Sequence, residues 1–227
     1  MRLALVQGRV TVRAADGPAH EYERYSITVN PDGSRTLRTL TVSPQGSLVR
    51  DVNQNVTRDW QPTSGASRLY LDGQPCGVIT KFVTGQTIRS VVYQHGSVDI
   101  AEFDAPKSRY SLGFHPIADE CWKMALIPLE TGKRHPLATH TCSVTWNGKT
   151  IGHGQLVESE VEYLGLEQRT IGGVAHECRT FLWFTPFSKV LKIWALGDHY
   201  AFAGLEVLEG GNAGTVYEVA ALEYETW

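Results

Sequence analysis

Almost every stretch of the chain alternates apolar and polar residues with period two, or forms a short apolar run bounded by Gly, Pro, Asn or Asp. That pattern belongs to β-strands with one buried face. It predicts strands at Tyr22–Val29 and Ser34–Val42, joined through Asn30-Pro-Asp-Gly33, and at Leu48–Trp60 and Arg68–Leu71, the latter followed by Asp72-Gly73. Further strands are expected at Val78–Val83, Thr87–Tyr93, Val98–Phe103, Val174–Phe184, Lys189–Leu196, His199–Leu208 and Thr215–Tyr224. Only Pro116–Ala125 reads as helical, with proline at its start and acidic residues in its first turn.

The strongest local signal is Asn147-Gly148 between two alternating runs, the preferred pair for a two-residue type I′ hairpin turn. Such a turn would set Cys142 across from His153 and His140 across from Gln155. An apolar face would then carry His140, Cys142, Val144, Trp146, Ile151 and His153, and that face should be the buried one. A thiol and two imidazoles on it allow four readings. They are a metal site completed by His176 or Cys178, a thiol nucleophile activated by histidine, acid–base chemistry by His153 between Gly152 and Gly154, and plain core packing.

Polar residues also recur where a strand should bury its face. Along Val49–Trp60, Arg50, Val52, Gln54, Val56 and Arg58 are in phase. Arginine among valines is costly unless it snorkels to water or meets an anion, so Arg50, Gln54 and Arg58 are candidates to orient an anionic oxygen. Trp183, Lys192 and Trp194 sit in an aromatic-rich strand pair that could pack a core or wall a pocket for a flat apolar ligand. His115 precedes Pro116, which favours an extended backbone there, and could act as an acid or base at a pocket mouth.

The 227 residues suffice for one large β domain over 1–227, and the composition is globular, with 42% hydrophobic and 20% charged residues. A net charge of −3 without a basic run argues against nucleic acid as a partner. No apolar run approaches the roughly 20 residues of a membrane helix. The opening Met1-Arg-Leu-Ala-Leu-Val is too short for a secretory signal, so a cytoplasmic protein with four free cysteines is expected. There is no P-loop, GxGxxG, GxSxG or HExxH.

From Val161 onward the order is strand, Gly172-Gly173, the strand bearing Phe181 and Trp183, Lys192-Ile-Trp194, a Gly197-Asp198 turn and a strand through Tyr217. In this the C-terminal half resembles LolA-like and DUF3108-like bacterial β-proteins, whose curved antiparallel sheet wraps a central helical element; lipocalin-like cups are a comparable likeness. The resemblance implies a concave apolar surface holding a hydrophobic molecule.

The expected fold is therefore all-β with one short helix, a single antiparallel barrel or curved half-barrel enclosing an apolar pocket. The expected function is cofactor-independent acid–base catalysis (lyase, isomerase or hydratase) on a hydrophobic, aromatic small molecule, without cofactor or metal. In it His153 and His115 would move protons. Arg50, Arg58, Gln54, Trp183, Trp194, Lys192, Cys142 and His140 would bind substrate. The alternative is a noncatalytic carrier of a hydrophobic ligand. Oligomeric state stays open, a homo-oligomer included.

Overall fold

The computed structural model describes residues 4–143, 150–186 and 189–226. Eight strands form a continuous antiparallel meander: β1 (Ala4–Arg13), β2 (His20–Val29), β3 (Arg35–Val42), β4 (Leu48–Val56), β5 (Pro62–Leu71), β6 (Gln74–Thr84), β7 (Thr87–Gln94) and β8 (Ser97–Asp104). The chain then enters the concave side through β9 (Tyr110–Gly113) and α1 (Asp119–Met124). It returns as β10 (Arg134–Thr141), β11 (Leu156–Ile171), β12 (Val174–Thr185), β13 (Lys189–Leu196), β14 (Ala201–Glu209) and β15 (Val216–Thr226).

All fifteen strands make one sheet, ordered β8 to β1 and then β15 to β9. Its two arms join where β1 pairs with β15, and among the described strand pairs β9–β10 alone is parallel. Short turns enforce this order. Asp72-Gly73, His95-Gly96 and Gly172-Gly173 each have positive φ at both residues, as two-residue I′ turns require to match strand twist. Bulges where β1 meets β2 and β15 bend the sheet at its middle. The result is an all-β, barrel-like curved sheet with one short helix inside it, as the alternation and the central helical signal predict.

Several boundaries differ from expectation. β4 ends at Val56, because a turn begins there and Trp60 takes φ +64°; Arg58 is therefore an exposed turn residue, not an inward one. The helix is six residues, shorter than Pro116–Ala125. β1 and β9 lie outside the expected strands, β10 extends the expected hairpin strand back to Arg134, and Ala201 rather than His199 starts β14.

Two apolar clusters fill the concave side. One joins α1 residues Trp122 and Met124 to Ile27, Phe181, Ile193 and Phe202. The other joins Val52, Leu69, Ile79 and Ile88 to Leu112, Phe114, Cys142 and Ile151. Gly65 on β5 lets Phe114 seat fully buried against the sheet, and a Cβ there would lie inside the Phe114 ring's van der Waals envelope. Gly65→Ala is expected to cost about 1–3 kcal/mol in urea unfolding through overpacking; an unchanged midpoint would contradict this contact.

Candidate functional site

Period-two alternation points Arg50, Val52, Gln54 and Val56 of β4 inward, and all four are buried. The Arg50 guanidinium does not snorkel. It donates to Ser67 Oγ at 2.7 Å, to the Phe114 carbonyl at 3.3 Å and towards Cys142 Sγ at 3.7 Å. Gln54 Nε2 donates to the Leu112 carbonyl at 3.1 Å. Both side chains thus tie β4 and β5 to the chain that crosses the concave side, because buried donors must find acceptors there.

The same phase logic places Lys81 of β6 inward, level with Ser90 of β7. Lys81 Nζ lies 2.5 Å from His140 Nδ1 and 3.4 Å from the His140 carbonyl, and it also donates to the Thr141 carbonyl. Burial lowers the Lys81 amine to about 7, a nearby Cys142 opposing the shift. Burial, helped by Lys81, lowers His140 to about 4. Phe103 covers this pair, its ring centroid 4.6 Å from that of His140.

His153 stands at the edge of this cluster. The Asn147-Gly148 turn lies outside the described residues, but the flanking register departs from it: His140 pairs with Leu156, not Gln155. Beyond Thr141 the ladder stops. Among the described residues, Gly152 N to the Cys142 carbonyl (3.0 Å), Thr141 N to the Gln155 carbonyl (2.9 Å) and two bonds of the Thr141 hydroxyl with Gln155 (3.2 Å each) connect the two sides. Gly154, at φ +74°, lets the chain pass where a Cβ would collide with the Thr141 carbonyl. His153 is consequently a loop residue and does not face Cys142 across a ladder. Its Nδ1 lies 2.9 Å from Ser90 Oγ, and its Nε2 lies 3.1 Å from Asp99 Oδ2 on β8. It lines a cleft of about 310 Å³ with Val92, Gln94, Asp99, Ile151 and Gly152.

His115 is not at that mouth. It adopts φ +70° instead of an extended backbone, and its Nε2 lies 3.0 Å from Ser143 Oγ. Burial, then the charges of Arg50, Lys123 and Lys81, lower it to about 3, so it is neutral and a poor proton acceptor at neutral pH. A folded value below the unfolded one means that the stability tied to the neutral ring is lost as pH falls from 6.5 towards 3. We expect the stability gap between the protein and His115→Gln to shrink by up to about 1.4 kcal/mol per pH unit over that range. Denaturation at pH 6, 5 and 4 checks this, and a constant gap would reject it.

The other candidates lie elsewhere. Trp183 packs by α1, its Nε1 donating to Ser159 Oγ at 2.9 Å. Trp194 Nε1 and Lys192 Nζ both bind Glu167, at 2.8 and 2.9 Å, on the face of β13 opposite Ile193. Lys192 is thus ion-paired. Cys142 is fully buried and burial raises its thiol, which disfavours a thiolate nucleophile. His176 and Cys178 sit on β12, apart from it, and among the described residues no three His, Cys, Asp or Glu side chains converge on a metal position.

Sequence reasoning missed Lys81, Ser90, Asp99 and the buried Glu23. Glu23 Oε1 accepts from Ala118 N at 2.8 Å, and Oε2 accepts from Ile117 N at 3.0 Å and Thr41 Oγ1 at 3.1 Å, holding the segment ahead of α1 against β2 and β3. The signal existed: Glu23 is in phase with Tyr25, Ile27 and Val29, and Lys81 with Ile79.

Among solved structures, a β-barrel-like protein of DUF1849 from Brucella abortus matches over 100% of this chain and 98% of its own, with TM-score 0.56 and 8% identity. A DUF1089 family protein from Pseudomonas aeruginosa matches over 86% and 92%, with TM-score 0.45 and 11% identity. A domain described as an outer membrane lipoprotein-sorting protein, from Vibrio parahaemolyticus, matches over 99% and 86%, with TM-score 0.27 and 6% identity. The Brucella match establishes the fold; at this identity it says nothing of activity, and the two lower-scoring matches carry no argument. No family model and no curated protein matches the sequence. Among the described residues no helix is long and apolar enough to cross a membrane.

Proposed function

We propose that the protein is a cofactor-independent acid–base catalyst for a small hydrophobic molecule, with His153 as the proton-moving group. One observation carries the reading. His153 is fixed through Nδ1 by the Ser90 hydroxyl, its Nε2 lies 3.1 Å from Asp99 Oδ2 without a hydrogen-bond partner, and it lines a cleft whose other walls include Val92 and Ile151. A histidine so oriented can exchange a proton with a substrate that displaces the solvent-exposed Asp99 carboxylate from Nε2. A volume of about 310 Å³ suits a ligand near the lower limit of small-molecule sites, in keeping with a single aromatic ring.

Ser90, His153 and Asp99 are also the residue types of a hydrolytic triad, but their exposure is inverted. Ser90 is fully buried, whereas the Asp99 side chain is 76% exposed. A buried hydroxyl cannot attack a substrate in the cleft, so Ser90 orients the imidazole and proton transfer without a covalent intermediate remains. Lyase, isomerase and hydratase reactions all fit that chemistry.

The test needs no prior substrate. Monocyclic aromatic compounds with an acidic C–H are screened for binding through shifts of the Val92 and Ile151 methyl resonances. Bound compounds are then followed in D2O for hydrogen–deuterium exchange at that carbon. Exchange by the wild type and its loss in His153→Gln supports the proposal. Binding without exchange by the wild type would overturn it in favour of a carrier.

A further inference from the structure

The second chemical feature of the interior is Lys81, and its environment differs from that of the other buried lysine. Lys123 is matched by carboxylates, with Asp119 Oδ1 at 2.8 Å and Glu120 Oε2 at 2.5 Å. Lys81 is fully buried and, among the described residues, has no carboxylate partner. Its partners are two backbone carbonyls and one imidazole nitrogen. The titratable groups it influences electrically are His115, His140 and Cys142, none of them an acid that is ionised when buried at neutral pH.

Three partners can satisfy either form of the amine. An ammonium would donate to all three. A neutral amine, with two N–H groups, would donate to the Thr141 carbonyl and to His140 Nδ1, which leaves its lone pair free. Charge decides between them: an uncompensated buried cation is costly, and a lysine in that position gives up its proton readily. His140 Nδ1, at 2.5 Å and kept neutral by burial, can take that proton only in passing, to return it.

We propose that Lys81 is a carbonyl-reactive amine, a site at which a small aldehyde condenses to an imine with His140 as the proton carrier. The Nζ lone pair attacks the carbonyl carbon, a C–N bond forms, and the carbonyl π electrons move to oxygen. The proton released from Nζ passes through His140 Nδ1 to that oxygen, giving a carbinolamine. Loss of the second Nζ proton and the hydroxyl as water breaks the C–O bond and forms C=N, so one amine and one aldehyde give one imine and one water.

The aldehyde must be small, because the amine is fully buried. Ser90, directly across the β6–β7 pair, holds His153 at the cleft, and Phe103 lies over His140. The 150–155 loop, which carries His153, has no strand pairing of its own. This inference does not depend on His153 acting as a base.

The test uses the intact wild-type protein, so no variant has to fold. Native protein at pH 7 is treated with 13C-formaldehyde and cyanoborohydride, and methylation is followed at each lysine by peptide mapping. Lys81 should be labelled at least about tenfold faster than the exposed Lys107 and Lys133, because more of it is unprotonated. The advantage should shrink at pH 10, and His140→Gln should slow labelling at Lys81 alone. Labelling of Lys81 that occurs only after unfolding in guanidinium, or that is no faster than at the exposed lysines, would overturn the proposal. His153→Gln separates the two readings: unchanged Lys81 labelling in that variant, alongside lost C–H exchange, supports both independently.

Discussion

Glu23→Ala is expected to lower the unfolding free energy by about 3–5 kcal/mol, measured by urea denaturation. The substitution leaves the amides of Ile117 and Ala118 and the Thr41 hydroxyl without their acceptor. Each buried unmet donor costs about 1–3 kcal/mol, and the Ala118 amide is among the buried ones. Glu23→Gln keeps one carbonyl acceptor and should cost less than half as much. Loss below about 1 kcal/mol for the alanine variant would show that the segment ahead of α1 is held by apolar packing alone.

The same residue has a pH signature. Burial raises the Glu23 carboxyl to about 8, the Ala118, Ile117 and Thr41 hydrogen bonds opposing the shift. The folded protein then holds a proton that the unfolded chain releases near pH 4.5. This contribution is fully present below the unfolded value and is lost as pH rises through about 8. Glu23→Gln, which does not titrate, should lose less stability than the wild type between pH 5 and pH 8.5. A parallel pH dependence in both proteins would reject the assignment.

His153→Gln is expected to lower catalysed C–H exchange by about 10²–10⁴-fold, the usual worth of a positioned general base. Binding of the same compound should change by less than about threefold, because Val92, Ile151 and Gln94 still line the cleft. Glutamine can retain contact with Ser90 but cannot shuttle a proton near neutral pH. Full exchange in the variant would remove His153 from the mechanism, whatever the fold.

The inward course of Arg50 and Gln54 was legible because strand parity is a strictly local property. Parity was equally informative for Glu23 and Lys81, whose charges simply interrupt rows of Tyr, Ile and Val. It misplaced Arg58, since alternation in the letters continues past Val56 although the strand does not. It also failed for Trp194 and Lys192. Both faces of β13 carry large apolar residues, so parity separates the faces without saying which is concave. The likeness to LolA-like sheets rested on strand order, which turn chemistry writes into the chain.

The chain alone therefore determined most of the strands, several of their turns, the all-β class and the presence of a helical element at the centre, because φ preference and side-chain alternation act over a few residues. Only the tertiary structure decided that His153 leaves the ladder beyond Thr141 to meet Ser90 and Asp99, and that Lys81 reaches His140 across the concave side. Those contacts join residues far apart in sequence, and they follow from how a fifteen-stranded sheet curls and where its register breaks. Curvature is summed over the whole sheet, so no window of the sequence contains it.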